Sequence, residues 1–309
     1  MEKFYSIAIR KRQSGDDRFF EHNDFMFNEL KINCHNRYWL ADPFLYETGG
    51  KTYLFYEAYD LVTRKGKIGY SIVSDDGTAT SPKIIIDEDF HLSFPNIFEK
   101  DGNVYIMPES CGDSSIRLYR ALKFPDVWER DRILAADTFS TDTVWLDETR
   151  LDTLLGSVQY RKPPEGKVIS CWVKNTMFPL GPAGDSPTVV KEGDYGVRNA
   201  GKIFSFHGDA IRPGQICTGG KYGSGLAFWK IGPDLTEKEI YSIRAEEMEA
   251  HVRLCSGKKL VGTHTYNASQ NYEVIDIAYF ARLPRVTAVR KKIHGFLWRL
   301  YIKIFRRKR

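Results

Sequence analysis

The sequence lacks the long apolar runs and the export signal of membrane-spanning or secreted proteins. No apolar stretch reaches 18 residues, so no membrane-spanning helix is predicted. The first 13 residues contain no continuous apolar core and no small-residue cleavage site, which argues against a secretory signal. The five cysteines are scattered and show no CxxC spacing. We therefore expect reduced thiols in a cytoplasmic protein.

Metal-binding patterns and a basic body are also missing. The seven histidines form no HxxxH or HExxH pattern, so neither a metal site nor a resident cofactor is predicted. The sequence does not decide whether an acidic funnel holds a Ca²⁺ ion. The net charge of +5 comes from residues 282–309, which hold eleven Lys or Arg and no Asp or Glu. The remainder has 34 basic and 40 acidic residues, so we do not expect a nucleic-acid partner.

What the sequence does contain is a repeat of short, aromatic-rich strands. Residues 42–57 and 94–109 align without a gap, with a proline and a turn glycine in matching places. Each copy reads as strand, glycine turn, strand. Weaker copies lie about 50 residues apart, at 142–157, 200–215 and 249–264. The copy at 142–157 has no turn glycine.

This spacing predicts an all-β fold, a five-bladed β-propeller over residues 1–281. The N-terminal strand, near residues 3–10, is expected to complete the last blade and to close the ring. Residues 282–309 form a separate basic helical tail. A β-sandwich or two small β-domains is the alternative, which the regular spacing disfavours.

Equivalent positions of a propeller repeat surround one axis, and here they are polar. The two sets that flank each hairpin are Asp42, Phe94, Asp142, Ala200 and Glu249, and then Glu57, Glu109, Ser157, Gln215 and His264. Several carboxylates around one axis repel each other, and such crowding is typical of functional sites. The alternative is that each acid caps a turn or is solvated at a strand end.

A sugar ligand suits such a cluster. Carboxylates and amides accept hydrogen bonds from hydroxyl groups, and aromatic faces stack on pyranose rings. Trp39, Phe94, Tyr222 and Trp145 are expected near the mouth of the channel, although core packing is the alternative for each aromatic residue. Arg212 and His264 could hold a phosphate or an anionic sugar.

Several segments together resemble the N-terminal propeller domain of glucosamine inositolphosphorylceramide transferases, and similar domains occur in bacterial surface-polysaccharide loci. The segments are WLADPF (39–44), FPNIFEKDGNVYIMPES (94–110), LYRALKFPDVW (118–128), RPGQ (212–215), YG (222–223) and GTHTYN (262–267). The resemblance covers roughly residues 3–280. More distantly, the chain is similar to five-bladed propeller glycosidases and to mannoside phosphorylases.

The distant resemblance implies roles for the acids. Asp42 corresponds to a base or nucleophile on the first blade, and Glu109 is the nearest match to an acid that protonates the leaving group. Asp142 is a third catalytic candidate, although its repeat lacks the confirming glycine. Glu57, Gln215 and Glu249 join the expected binding residues. The plant transferases carry a further glycosyltransferase domain after the propeller, which leaves open whether the propeller is itself catalytic.

The tail changes character after Pro284. Apolar residues recur at helical spacing in 286–309, with Lys and Arg on another face. This pattern predicts an interfacial helix that binds an anionic membrane surface. A helix packed on the propeller, or an RNA-binding tail, is the alternative.

These observations favour a glycosyltransferase on the inner face of the cytoplasmic membrane. Its substrates would be an activated sugar and a glycan or lipid-linked acceptor. The two alternatives are a glycoside hydrolase and a non-catalytic carbohydrate-binding propeller that partners a separate transferase.

Overall fold

The computed structural model describes residues 1–13, 17–159, 171–180, 186–255 and 257–301, with side chains up to residue 297. These residues form five sheets of four or five strands, arranged as a five-bladed β-propeller. The first strands of neighbouring blades contact each other around one axis.

The strands follow the chain from blade to blade, except that two N-terminal strands belong to blade 5. These two are β1 (Glu2–Lys11) and β2 (Phe27–Glu29). Blade 1 consists of β3 (Tyr38–Thr48), β4 (Lys51–Asp60), β5 (Lys65–Val73) and β6 (Lys83–Ile86). Blade 2 consists of β7 (Ser93–Lys100), β8 (Asn103–Glu109), β9 (Ser115–Lys123) and β10 (Val127–Ala136).

The second half of the ring repeats this plan. Blade 3 consists of β11 (Ser140–Trp145), β12 (Thr153–Val158), β13 (Val173–Pro179) and β14 (Thr188–Gly193). Blade 4 consists of β15 (Tyr195–Asn199), β16 (Phe204–Phe206), β17 (Asp209–Ile216), β18 (Gly225–Ile231) and β19 (Glu237–Arg244). Blade 5 adds β20 (Val252–Arg253), β21 (Tyr266–Ala268) and β22 (Tyr272–Ala281). The helices are α1 (Ala245–Met248) and α2 (Arg285–Tyr301), and short 3-10 turns lie at Phe19–Glu21, Cys111–Asp113, Thr218–Gly220 and Glu249–His251.

The first strand of the chain lies in the last blade. Every residue of β1 pairs with β22 in antiparallel register, from Glu2 opposite Ala281 to Lys11 opposite Tyr272. This pairing joins the two ends of the propeller by backbone hydrogen bonds, so the ring is held without a covalent link.

Turn chemistry explains the two clearest hairpins. Gly50 between β3 and β4 has φ +70°, and Gly102 between β7 and β8 has φ +72°. This left-handed conformation strains residues that carry a Cβ atom and is open to glycine. Blade 3 has no such glycine, and a longer connection over residues 146–152 joins β11 to β12.

The hairpin predicted over residues 249–264 is wrong. Glu249–His251 is a 3-10 turn, and the two residues of β20 pair in parallel with β2 at the outer edge of the blade. The inner hairpin of blade 5 is β21–β22, which turns through Ser269. Gly257 does have a positive φ of 60°, but it lies in a loop. A glycine with a positive φ is therefore not sufficient to identify the inner hairpin of a blade.

The core lies between the blades. Phe19, Phe228 and Tyr266 have no exposed surface and pack edge-on or tilted at ring-centroid distances of 5.1–5.6 Å. Burial of one such aromatic side chain contributes roughly 1.5–3 kcal/mol. Packing of this kind fixes each blade against the next and so fixes the positions of the polar groups at the axis.

Helix α2 lies against the outside of the propeller. The Thr287 side chain is buried and donates a hydrogen bond to the carbonyl oxygen of Asn36. Among the described residues, no helix is long and apolar enough to cross a membrane. The remainder of the predicted amphipathic segment, 302–309, lies outside the described residues.

Candidate functional site

Three strained residues begin the inner hairpins of blades 1, 2 and 3. Asp42, Phe94 and Asp142 have φ values of +50°, +45° and +48°. Each lies at a β-bulge, where the register between the first two strands of its blade shifts. A positive φ is uncommon in residues other than glycine, and bulges redirect side chains. The repeat found in the sequence is thus a repeat of one backbone distortion beside the axis.

His264 lies between two buried carboxylates. Its Nε2 atom is 3.2 Å from Asp42 Oδ1, and its Nδ1 atom is 2.7 Å from Asp276 Oδ2. Burial alone would lower the pKa of His264, but the charges and hydrogen bonds of Asp276 and Asp42 outweigh it and raise the pKa to about 10. The imidazole is therefore a cation at neutral pH.

Asp42 is held in its ionised form. Its Oδ1 atom accepts a hydrogen bond of 2.8 Å from the Thr265 hydroxyl, and its Oδ2 atom accepts one of 3.1 Å from the Phe94 backbone N–H. Burial opposes ionisation, but these donors and His264 together lower the pKa of Asp42. Asp42 is thus an anion that is almost fully hydrogen-bonded.

A second charged group joins blades 2, 3 and 4. The Arg198 guanidinium on β15 is buried, donates from Nε to Asp142 Oδ2 and lies 3.6 Å from Glu109 Oε2. Burial and the neighbouring charge of Asp142 raise the pKa of Glu109 to about 8, against the opposing charge of Arg198. Glu109 is therefore largely protonated at pH 7, whereas Asp42 is ionised.

Glu57 is the least satisfied acid of the cluster. It is 5% exposed, and its Oε1 atom has no hydrogen-bond partner, because the His91 contact at 3.3 Å lacks hydrogen-bond geometry. Burial, then the charges of Asp42 and Glu109, raise the pKa of Glu57 well above its ordinary value. Glu57 and Glu109 are thus two buried carboxyls whose pKa values are raised, in part by the charge of Asp42.

The same polar groups hold neighbouring blades together. A backbone N–H of one blade donates to a side chain of the preceding blade, from Phe94 to Asp42, from Asp142 to Glu109 and from Asn199 to Ser157. Gln215 adds two contacts between blade 4 and the cluster. Its Nε2 atom donates hydrogen bonds of 3.1 Å to Asp142 Oδ2 and of 2.8 Å to the Asn199 carbonyl oxygen. The axial cluster therefore has a structural role whatever chemistry it performs.

Aromatic residues lead from this cluster to the surface. The Tyr222 and Tyr5 rings lie 4.9 and 5.1 Å from the His264 ring, and Tyr5 lies 5.0 Å from Trp39. Trp39 stacks on Tyr59 with ring centroids 4.4 Å apart. Trp39 and Tyr222 thus lie at the edge of the cluster, as expected. The cluster itself is enclosed rather than open, since Asp42, Glu57, Glu109, Asp142 and His264 are each at most 8% exposed.

The structure places three predicted binding residues elsewhere. The Phe94 ring is fully buried and packs on Phe44, so only its backbone reaches Asp42. Arg212 is fully buried against Glu237, with Nη2 2.8 Å from Oε2, which leaves its charge already paired. Glu249 is partly exposed in the 3-10 turn before β20 and lies 4.0 Å from Lys259, away from the axis. These three side chains thus lie apart from the acids at the axis, and their contact with a ligand stays a prediction. Trp145, also expected near the mouth, is buried and packs against Phe98.

The sequence interpretation missed Asp276 and Arg198. With the fifth hairpin placed at β21–β22, Asp276 lies opposite Thr265, as Glu57 lies opposite Ala41. The turn residues after Ala268 were the signal that could have located this hairpin. Arg198 lies on the inner strand of blade 4, where a lone arginine in a polar segment gave no comparable signal.

One group of described residues could hold a metal ion. Asp42, His264 and Asp276 each offer a donor atom within 4.8 Å of the others. In the structure both imidazole nitrogens face carboxylates, which is the arrangement of an imidazolium ion pair. A cation would have to replace the imidazolium proton, so metal and proton would compete for the same nitrogen.

The fold and this site define a five-bladed propeller with a buried, mixed acid–base cluster at its axis. The family model described as glucosamine inositolphosphorylceramide transferase 1, N-terminal, matches residues 28–280. The chain therefore belongs to this family.

Plant members of this family are similar in sequence to most of this chain. The chain is 31% identical over 274 residues to glucosamine inositolphosphorylceramide transferase 1 of Oryza sativa subsp. japonica, a match that covers 84% of this chain and 35% of the relative. The protein of the same name from Arabidopsis thaliana is 32% identical over 239 residues, which cover 75% of this chain and 30% of the relative. The chain thus spans about a third of the length of these relatives.

Solved structures show the same fold at low sequence identity. The catalytic domain of the Coprinopsis cinerea GH62 α-L-arabinofuranosidase has a TM-score of 0.54 and 9% identity, with 89% of this chain and 97% of that chain covered. A GH62 hydrolase in complex with xylotriose has a TM-score of 0.51 and 10% identity, with 87% and 97% covered. These likenesses establish the fold alone.

Proposed function

We propose that this chain is a carbohydrate-active enzyme that transfers a sugar from an activated donor to a glycan or lipid-linked acceptor. The observation that carries the proposal is that two buried acids at one axis lie in opposite surroundings. Hydrogen-bond donors and His264 surround Asp42 and lower its pKa, whereas burial and the charge of Asp142 raise the pKa of Glu109. The transferase name of the plant relatives supports this class of activity.

The geometry supports a division of labour between these acids. Asp42 would accept the proton of the acceptor hydroxyl as its oxygen bonds to the anomeric carbon. Glu109 would give its proton to the oxygen of the leaving group as that bond breaks. A carboxylate and a carboxylic acid flanking the anomeric carbon are what an oxocarbenium-like transition state requires. Arg198 and the His264 imidazolium would stabilise negative charge on a leaving phosphate.

The direct test is sugar transfer by the purified full-length chain, with radiolabelled sugar nucleotides and lipid vesicles. We expect Asp42→Asn to lower the transfer rate at least about 100-fold, since asparagine cannot accept the proton. Asparagine tolerates the positive φ of this position, and thermal unfolding of the variant separates a loss of activity from a loss of fold. Asp209→Asn, at an exposed carboxylate paired with Lys230, is the matched control. Undiminished transfer by the Asp42 variant would end the assignment.

A non-catalytic carbohydrate-binding propeller is the second candidate, and the hydrogen bonding of Asp42 favours it. Three donors already engage the Asp42 carboxylate, which makes it a weak base. This candidate predicts saturable sugar binding by calorimetry without turnover. Release of reducing sugar in the same assay without a donor would instead identify a hydrolase.

We further propose that α2 brings the enzyme to the anionic inner face of the cytoplasmic membrane. The residues of one outward stripe are each more than half exposed: Val286, Val289, Ile293, Phe296 and Leu297. Arg290 and Lys292 flank this stripe, a pattern that suits a helix lying in the membrane interface. Ile293→Glu should abolish co-sedimentation with anionic vesicles and leave thermal unfolding unchanged, with Lys51→Glu on the blade 1 hairpin as the control. Equal sedimentation of the Ile293 variant would exclude the helix as the anchor.

A further inference from the structure

A cavity of about 200 Å³ lies between the N-terminal strand, blade 1 and the second turn of α2. Its wall includes Lys3, Trp39, Tyr59, Arg64 and Lys291. The cavity is formed by segments from the two ends of the described chain and from the first blade, so it does not follow the repeat.

The cavity is cationic and incompletely neutralised. Within the described ranges, no carboxylate lies within 4.0 Å of Lys3 or Arg64, and Lys3 Nζ donates only to the Tyr222 carbonyl at 3.2 Å. Lys291 pairs with Glu2 at 3.4 Å, and the Glu2 side chain is half exposed. Three cations against one exposed acid form a site that favours an anion.

The opposite wall is aromatic and leads to the axis. Trp39 and Tyr59 are stacked on each other, at an interplanar angle of 8° and a centroid distance of 4.4 Å, and both line the cavity beside the cations. Tyr5 joins Trp39 to His264. A group attached to a bound phosphate would contact this stacked pair on the side that leads to the axial cluster.

The position of helix α2 favours a membrane lipid as the source of this anion. At 100° per residue, Lys291 lies nearly opposite the exposed stripe formed by Val289, Ile293 and Phe296. When that stripe enters a membrane interface, the cavity on the protein side of the same helix lies about 10 Å from the stripe, one helix diameter away, and faces the head-group layer. A soluble anion would gain nothing from this placement.

We propose that the cavity binds the phosphate of a membrane lipid head group, with the group esterified to that phosphate against Trp39. Lys3, Arg64 and Lys291 supply the charge. The further statement that this lipid is the sugar acceptor rests on the proposed function, but the binding itself does not.

The test is calorimetric titration of the full-length chain with dihexanoylphosphatidylglycerol below its micelle concentration. This lipid carries a glycerol group on its phosphate, and the titration separates head-group binding from membrane insertion. We expect saturable 1:1 binding, weakened at least about tenfold by Arg64→Gln or Lys3→Gln, because each removes a charge-assisted contact. Lys51→Gln, at an exposed hairpin residue, should leave binding unchanged. In a parallel fluorescence titration, we expect lipid binding to change the tryptophan emission of the wild type. Trp39→Phe should remove this change.

Three other outcomes overturn the proposal. Inorganic phosphate that binds as tightly as the lipid would make this a site for free phosphate. Lipid binding that survives both cavity variants would place the lipid elsewhere, and absence of binding would leave the exposed helix to a protein partner. Binding without sugar transfer would keep the cavity assignment and count against the proposed function alone.

Discussion

Replacing His264 by glutamine tests the charge state of the axial cluster. Its folded-state pKa of about 10, against an ordinary value of 6.5, corresponds to about 5 kcal/mol of preferential stabilisation of the imidazolium. His264 is 4% exposed, so solvent screening reduces this stabilisation energy only slightly. Glutamine can still donate to Asp42 or to Asp276 but carries no charge. We therefore expect the variant to lose about 3–5 kcal/mol of unfolding free energy at pH 6.

The sign of the pH dependence follows from the raised pKa. The folded state holds the proton more tightly, so the stabilisation is complete below pH 6.5 and is lost as the pH rises through about 10. Chemical unfolding of both proteins at intervals from pH 6 to pH 10.5 should therefore show the difference in free energy shrinking toward zero. A difference that is constant with pH, or below about 1 kcal/mol at pH 6, would refute the ion-pair interpretation. His207→Asn, at an exposed turn histidine with φ +49°, is the control.

Three further predictions concern the surroundings of the cluster. Arg198→Met should lower the unfolding free energy by about 3–5 kcal/mol, because Asp142 loses its buried partner, and adding Asp142→Asn should restore part of the loss in a double-mutant cycle. In the wild type, the raised pKa of Glu109 means that folding stability falls as the pH rises from 4.5 to about 8; Glu109→Gln should remove this decline in denaturant titrations. Gly66→Ala should lower the melting temperature by several degrees, since the added Cβ atom would lie 2.3 Å from the Leu92 carbonyl oxygen.

Local turn chemistry made most of the fold predictable. A glycine that can adopt positive φ between two short strands specifies a hairpin, and regular repetition of that unit specifies a propeller. The same regularity predicted that Asp42, Glu109 and Asp142 would meet, although they are far apart in the sequence, and the structure brings all three to the axis. His264 lies there too, but the hairpin from which its position was predicted, 249–264, is not the inner hairpin of blade 5.

Burial and strand faces limited the prediction of the site. Arg212 and Gln215 lie three residues apart on β17, so their side chains face opposite sides of the strand and cannot both reach Asp142. Phe94 occupies the repeat position of Asp42, but an apolar ring at that place turns into the core, whereas a carboxylate meets donors at the axis. Which face of a bulged strand carries each side chain depends on the backbone distortion, and composition does not reveal it.

The dual role of the axial acids determines how their chemistry can be studied. Asp42 and Glu109 accept backbone hydrogen bonds from the next blade, so a variant of either one perturbs both the fold and any reaction. Glu57 Oε1 accepts no such hydrogen bond, and burial with the charges of Asp42 and Glu109 raises the pKa of Glu57. If sugar chemistry occurs at this axis, a carboxyl with a raised pKa beside the Asp42 anion and an oxygen without a hydrogen-bond partner is well placed to exchange a proton with a ligand. Comparison of Glu57 with Asp42 therefore separates the reaction from the architecture that supports it.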